Sequence, residues 1–170
     1  MFMIGYKIAK NGDTRVVVTL EIPDDAQTNI GRSSVAVKET AKYRTNKAKV
    51  LEISDCDGKQ YTIAFSFNYV FRTNTYIVGQ VLEDVYYDPD PEKVCAAGIH
   101  FFLSRTRAEQ YGYLYVQNGF FQSWYDNGQK ELEVTFKDGK YHGHFQRWNM
   151  NGQVIVKSEY INGVEQVSIS

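Results

Sequence analysis

A tandem repeat in the last third of the chain constrains the fold more than any other feature. Two copies align at a period of 24 residues, with Gly119 matching Gly143, Phe121 matching Phe145, Trp124 matching Trp148, and Asn127-Gly128 matching Asn151-Gly152. Each copy has two short aromatic runs joined by Asn-Gly or Asp-Gly, which predicts β-hairpins. Because a lone hairpin cannot bury a face, the copies are expected to stack in series.

The repeat resembles the variant MORN repeat. The residues that carry the resemblance are Gly119, Trp124, Asn127, Gly128, Phe136 and Gly139, then Gly143, Trp148, Asn151, Gly152, Tyr160 and Gly163. The resemblance implies an interaction or scaffolding module. We therefore predict that Trp124, Trp148, Phe121 and Phe145 bind a partner, or a second copy, provided that one side of the sheet is open. The final strand, near 154–161, is expected to be an unpaired edge.

The front of the chain is predicted to be mostly strand. Runs 4–9 and 15–22 flank Asn11-Gly12, a hairpin signal, and residues 76–82 form a further expected strand. Over residues 61–71, six large side chains alternate with smaller ones, which predicts one long strand with a single apolar face. That face is interpreted as core rather than as a binding surface.

Residues 95–104 predict a short buried strand followed by a helix. Four apolar residues surround His100, and Ser104 is a plausible N-cap for about two helical turns. This front part resembles a domain of unknown function from giant DNA viruses of amoebae. The residues that carry the resemblance are Lys47-Ala48-Lys49-Val50-Leu51, Tyr76, Val78-Gly79, Cys95 to Phe102, Ala108 and Tyr111. It implies a viral origin and no established activity.

His100 is the one catalytic candidate. The Gly-Ile-His-Phe strand before a helix also loosely resembles ADP-ribosyltransferase-like folds, in which a similar strand borders the nicotinamide pocket. In the alternative interpretation, which we favour, His100 is a core histidine bonded to a backbone carbonyl. No Ser/His/Asp set and no phosphate loop accompany it.

Three further patterns suggest ligands but favour simpler interpretations. The basic segment 32–49 is expected to be solvated, or complementary to the acidic loop 83–92, rather than a nucleic-acid surface. Asp84, Asp88 and Asp90 lack the spacing of a calcium loop. His142 and His144 share a strand face without a third ligand, so no metal is predicted.

Bulk composition excludes several classes of protein. Nineteen basic and twenty acidic residues give a net charge of −1, so bulk attraction to nucleic acid or anionic membrane is not expected. Two cysteines make no disulfide framework and favour a reducing interior. Neither a signal peptide nor a membrane span is predicted. The expected location is the infected host cytoplasm or the virion.

The combined prediction is an α+β, mostly β fold with two parts. Residues 1–114 form a front domain with one short helix, and 115–170 form a repeat sheet of successive antiparallel hairpins. The predicted function is a non-enzymatic interaction or scaffolding protein of a giant virus, with no cofactor. The alternative is an NAD-using transferase with His100 in its pocket.

Overall fold

The computed structural model describes residues 2–67, 75–112 and 116–169, with side chains up to residue 166. The chain is 52% strand and 4% helix, so the predicted mostly β, α+β class is confirmed. It divides into two compact units. The front unit comprises Met1–Ser34 and Lys42–Glu109, and the repeat unit comprises Val35–Ala41 and Gln110–Ser170. The segment 35–41, which the sequence prediction left in the front domain, thus belongs to the repeat unit.

An eight-stranded sheet forms the front unit. Its strands are β1 (Phe2–Asn11), β2 (Thr14–Pro23), β3 (Lys42–Thr45), β4 (Lys47–Ser54), β5 (Ile63–Phe65), β6 (Thr75–Ile77), β7 (Val81–Glu83) and β8 (Ile99–Phe102). The main order is β3-β8-β1-β2-β4-β7, and β5 pairs with both β1 and β6. The pairing of β1 with β2 is antiparallel over the full length of both strands, which confirms the predicted first hairpin. Gly12, with a φ of 57°, supplies its tight turn.

The long strand predicted over residues 61–71 is wrong in the part that the structure describes. Only Ile63–Phe65 is a strand, and its buried member is Ala64 rather than the large neighbours. Phe67 is 37% exposed. The aromatic alternation therefore does not mark a core face, because the small residue packs inward. Tyr69 and Phe71 lie outside the described residues.

The single strand predicted over residues 76–82 is also wrong. Gly79 has a φ of 86°, and the Gln80 amide donates to the Ile77 carbonyl at 2.9 Å. Residues 78–80 therefore form a turn that joins β6 to β7. Glycine tolerates the positive φ that this turn requires. The prediction of one strand treated Gly79 as an ordinary strand residue.

The strand and helix predicted after residue 95 are present. Ile99, Phe101 and Phe102 of β8 are buried. Helix α1 spans Arg105–Gln110. The Ser104 hydroxyl accepts a hydrogen bond from the Arg107 amide at 3.2 Å, which is the predicted N-cap. The cap ends β8 and fixes where the helix begins.

The repeat unit holds a five-stranded antiparallel sheet. Its strands, adjacent in chain order, are β9 (Gly119–Trp124), β10 (Lys130–Lys137), β11 (Lys140–Trp148), β12 (Val154–Ile161) and β13 (Val164–Ile169). Asp138 and Asn162, each followed by glycine, have φ angles of 51° and 52°. These angles suit the two-residue hairpin turns predicted from Asp-Gly and Asn-Gly.

The prediction that the strand near 154–161 is an unpaired edge is wrong. Strand β13 pairs with β12 from Ile161↔Val164 to Lys157↔Ile169. The Asn162-Gly163 turn therefore leads into β13, which forms half of a third hairpin unit. Among the described strands, β9 and β13 are the outer ones of this sheet.

Candidate functional site

His100 is held inside the front unit as a hydrogen-bond donor. Its Nε2 atom lies 3.1 Å from the Val94 carbonyl oxygen. Because a carbonyl only accepts, Nε2 carries the hydrogen. Burial, together with the positive charges of Lys7 and Lys42, lowers the pKa of His100 from 6.5 to about 4. The neutral ring thus ties β8 to residue 94, as expected of the core histidine favoured above.

A buried guanidinium organises the acidic loop beside His100. Arg44 has no exposed surface, and its guanidinium carbon lies 4.8 Å from the centroid of the Tyr87 ring. Arg44 donates to the carbonyls of Asp88 and Asp90, and to that of Lys93 at 2.7 Å. Carbonyl dipoles rather than carboxylates therefore satisfy this charge. A guanidinium suits this role because its five donors point in fixed directions.

The expectation of a solvated basic face over residues 32–49 is wrong for three of its side chains. Arg32, Lys42 and Arg44 are 3%, 8% and 0% exposed. Arg32 donates to the Lys42 carbonyl at 2.7 Å. The segment does contact the acidic loop, but through backbone groups: Arg44 donates to the Asp88 and Asp90 carbonyls, and Glu92 accepts from the Ser33 amide at 2.8 Å.

Lys7 is a further basic group that the sequence reasoning missed. It lies on β1 opposite Val18, which is fully buried, and its amine is 5.9 Å from the centroid of the Tyr76 ring. Burial and then the charge of Lys42 lower the pKa of Lys7 from 10.5 to about 8. The sequence signal that could have identified Lys7 is that it lies among apolar residues in a central strand.

The acidic loop uses its carboxylates to stabilise its own turns. Asp84, Asp88 and Asp90 each accept a hydrogen bond from the amide two residues later, at 2.9, 3.0 and 3.0 Å. Asp88 also pairs with Lys93 at 2.9 Å, and this bond is the main cause that lowers the pKa of Asp88. Across the described ranges, no three His, Cys, Asp or Glu side chains are grouped so as to hold a metal ion.

The predicted partner-binding aromatics differ in exposure. Phe145 is 9% exposed, and its ring lies 5.2 Å from Tyr141 and 5.5 Å from Tyr160. Phe121, Trp124 and Trp148 are half-buried. Phe145 therefore contributes to packing within the sheet, whereas Phe120, at 53% exposure, offers more surface than any of the four predicted residues.

The two repeat histidines make separate contacts. His142 Nδ1 accepts from the Asn162 amide at 3.3 Å, and His144 lies 3.8 Å from a Glu133 oxygen and 3.9 Å from a Glu159 oxygen. Gly143, between them, has a φ of 85°, where the β10–β11 register shifts. The regular alternation assumed for the strand is interrupted at this point.

The repeat turns form a row, with one turn lying on the next. The first turn, residues 125–129, and the second turn, residues 149–153, each close with a glycine of positive φ, Gly128 at 90° and Gly152 at 81°. The Asn127 amide group donates to the Met150 carbonyl at 3.0 Å, and the Tyr125 hydroxyl donates to the Trp148 carbonyl at 2.9 Å. Asn127 thus links the copies, which is the role its repeat position suggests.

Comparison with known proteins identifies the front part of the chain. Residues 1–108 match the model of DUF5758, a family of unknown function. The chain belongs to this family. The DUF5758 match covers every strand of the front sheet, together with the His100 and Arg44 sites. No curated protein and no solved structure matches the chain.

The DUF5758 match confirms the prediction of a front domain of unknown function. Among the described residues, no helix has the length and apolar character needed to cross a membrane.

Proposed function

We propose that this protein is a non-enzymatic interaction or scaffolding protein of a giant DNA virus, acting in the virion or in the infected host cytoplasm. The C-terminal sheet, interpreted as variant MORN repeats, would bind the protein partner. The observation that carries the proposal is a set of exposed apolar side chains on the last two strands of that sheet. Val154, Ile155, Ile161 and Val164 are 53%, 56%, 52% and 63% exposed.

Burial of these side chains in an interface favours association. Covering one aliphatic side chain contributes about 1.5 to 3 kcal/mol. The four residues lie on β12 and at the start of β13, an outer strand of the described sheet. An outer strand also offers backbone donors and acceptors to an added strand.

The chemistry of His100 supports a non-enzymatic role. The ring donates Nε2–H to a carbonyl and stays neutral because of its lowered pKa. The hydrogen bond to the Val94 carbonyl explains the position of the His100 ring. The competing hypothesis, an NAD-using transferase, predicts calorimetric NAD binding that is lost in His100→Ala, and that result would overturn the proposal.

The direct test places charge on the exposed sheet. Ile155→Glu with Val164→Glu is expected to abolish capture of partners from infected lysate by the tagged full chain. The matched control is Val85→Glu, a substitution at a front-unit residue that is 82% exposed. Equal capture by both variants would show that the C-terminal sheet is not the interface. Proteomics of purified particles beside cell lysate then separates the virion role from the cytoplasmic one.

A further inference from the structure

A lysine and a cysteine from distant parts of the chain meet in the front unit. Lys42 is the first residue of β3, and its Nζ atom donates a hydrogen bond to the Cys95 sulfur at 3.4 Å. Lys42 is only 8% exposed, so packing holds its side chain in place, whereas Cys95 is exposed. A buried amine is therefore aimed at a thiol that solutes can reach.

The other cysteine of the chain offers an internal comparison. Cys56 is also exposed and forms no disulfide. It lies in the turn that Asp55 and Gly58 close. Among the described residues, no side-chain amine is hydrogen-bonded to the Cys56 sulfur. The two cysteines therefore share their exposure and differ in the lysine at contact distance.

Positive charges lie close together around Lys42. Burial and then the charge of Lys42 lower the pKa of Lys7, and burial, Lys7 and Lys42 lower that of His100. His100 lies on β8, the strand that pairs with β3. Because these charges repel one another, a reaction that converts the Lys42 amine to a neutral group is favoured at this place.

We propose that oxidation by a peroxide joins Lys42 to Cys95 through a sulfur–nitrogen bond. The Cys95 sulfur attacks one oxygen of the peroxide, the O–O bond breaks, and the second oxygen leaves as water, which gives a sulfenic acid. The deprotonated Lys42 amine then attacks this sulfur, and the S–O bond breaks as a second water leaves. In balance, the sulfur loses two electrons and hydrogen peroxide is reduced to water.

The bond changes the stability of the front unit in a reversible way. It joins residues that are 53 positions apart in the sequence, so it removes freedom from the unfolded chain. It adds a covalent link to a region that Arg44 already holds through the Lys93 carbonyl. A thiol reductant attacks the sulfur and releases the amine, which restores the starting pair. The link lies within the front unit and does not depend on the partner proposed for the repeat sheet.

The test treats the full chain with hydrogen peroxide and digests it with a protease that cuts after glutamate. Peptides 40–52 and 93–109 should then appear joined, lighter than their sum by the mass of two hydrogen atoms. Dimedone, which labels sulfenic acids, should label Cys56 several-fold more than Cys95, because the Lys42 amine competes for the oxidised Cys95 sulfur. Dithiothreitol should separate the joined peptides.

Two variants and a melting measurement complete the design. Lys42→Met keeps an unbranched apolar side chain without the amine, so dimedone should label Cys95 and Cys56 alike. Cys56→Ser leaves the pair intact and should form the link as the native chain does. Peroxide should raise the melting temperature of the front unit, followed by circular dichroism, by roughly 5 °C in the native chain and in Cys56→Ser. Lys42→Met should show no such rise.

The native chain alone decides the outcome, even where Lys42→Met fails to fold. The proposal is overturned if peroxide leads to equal dimedone labelling of both cysteines in the folded native chain without joined peptides. It is also overturned if folded Lys42→Met joins Cys95 to another lysine as readily as the native chain forms its link.

Discussion

His100 makes the stability of the front unit depend on pH. Its pKa is about 4 in the fold against 6.5 unfolded, so between these values the unfolded chain binds a proton that the folded chain does not. Folding stability should therefore fall as pH drops from about 6.5 to about 4, by about 3 kcal/mol in total. His100→Gln retains an N–H donor for the Val94 carbonyl and cannot protonate, so its stability should fall less over this range.

Urea unfolding followed by circular dichroism at several pH values measures this slope. His142→Gln, on β11 of the repeat unit, is the matched control and should keep the wild-type slope. If the folding stability of His100→Gln depends on pH as that of the wild type does, groups other than His100 cause the loss of stability in acid. Burial and the charge of Lys42 lower the pKa of Lys7 from 10.5 to about 8, so its contribution to folding stability rises with pH between about 8 and 10.5, outside the window that His100 controls.

At the scale of elements, the repeat turns depend on glycines for two different reasons. Gly139 has a φ of 73°, and among the described residues a Cβ there would meet only Gln117 Oε1, at 3.5 Å, so alanine costs mainly backbone strain, about 1 to 2 kcal/mol. Gly128 has a φ of 90° and also abuts the Val37 carbonyl. Gly128→Ala should therefore destabilise the repeat unit clearly more than Gly139→Ala. Tryptophan fluorescence during urea unfolding measures both, since Trp124 and Trp148 lie in this unit. Equal costs would mean that the close approach of Gly128 to the Val37 carbonyl contributes nothing.

Hairpin turns could be predicted from the sequence where two neighbouring residues determine the backbone angles of the turn. Asp138-Gly139 and Asn162-Gly163 were expected to close hairpins, because both residues tolerate a positive φ, and the structure confirms this. The prediction of one long strand over residues 61–71 was wrong because the burial of a strand face is not determined by local sequence. Alternation gives the period of a strand but not which face is buried, and here Ala64 points inward.

At the scale of the whole molecule, the sequence predicted a mostly β chain but not which residues belong to each unit. The segment 35–41 has no period and no turn signal, and its hydrogen-bond partners Asn127 and Gly128 lie about 90 residues away in the chain. The role of Arg44 was hidden for a similar reason, since its partners are backbone carbonyls that no side-chain pattern reveals.

The assignment of the segment 35–41 to the repeat unit predicts a change in proteolysis. In the full chain, hydrogen bonds from residues 36, 37 and 40 hold the backbone around Lys38, which itself is exposed. Trypsin needs a locally unfolded site, so cleavage after Lys38 should be slow. A chain ending at Val116 lacks the first turn, and cleavage there should become several-fold faster. Lys59, in a turn of the front unit closed by the Asp55 amide at 3.1 Å, is the internal control and should be cut at the same rate in both chains. Mass spectrometry of timed digests measures both rates. Unchanged cleavage after Lys38 in the shorter chain, beside an unchanged rate at Lys59, would show that the repeat unit does not hold the segment 35–41 in solution.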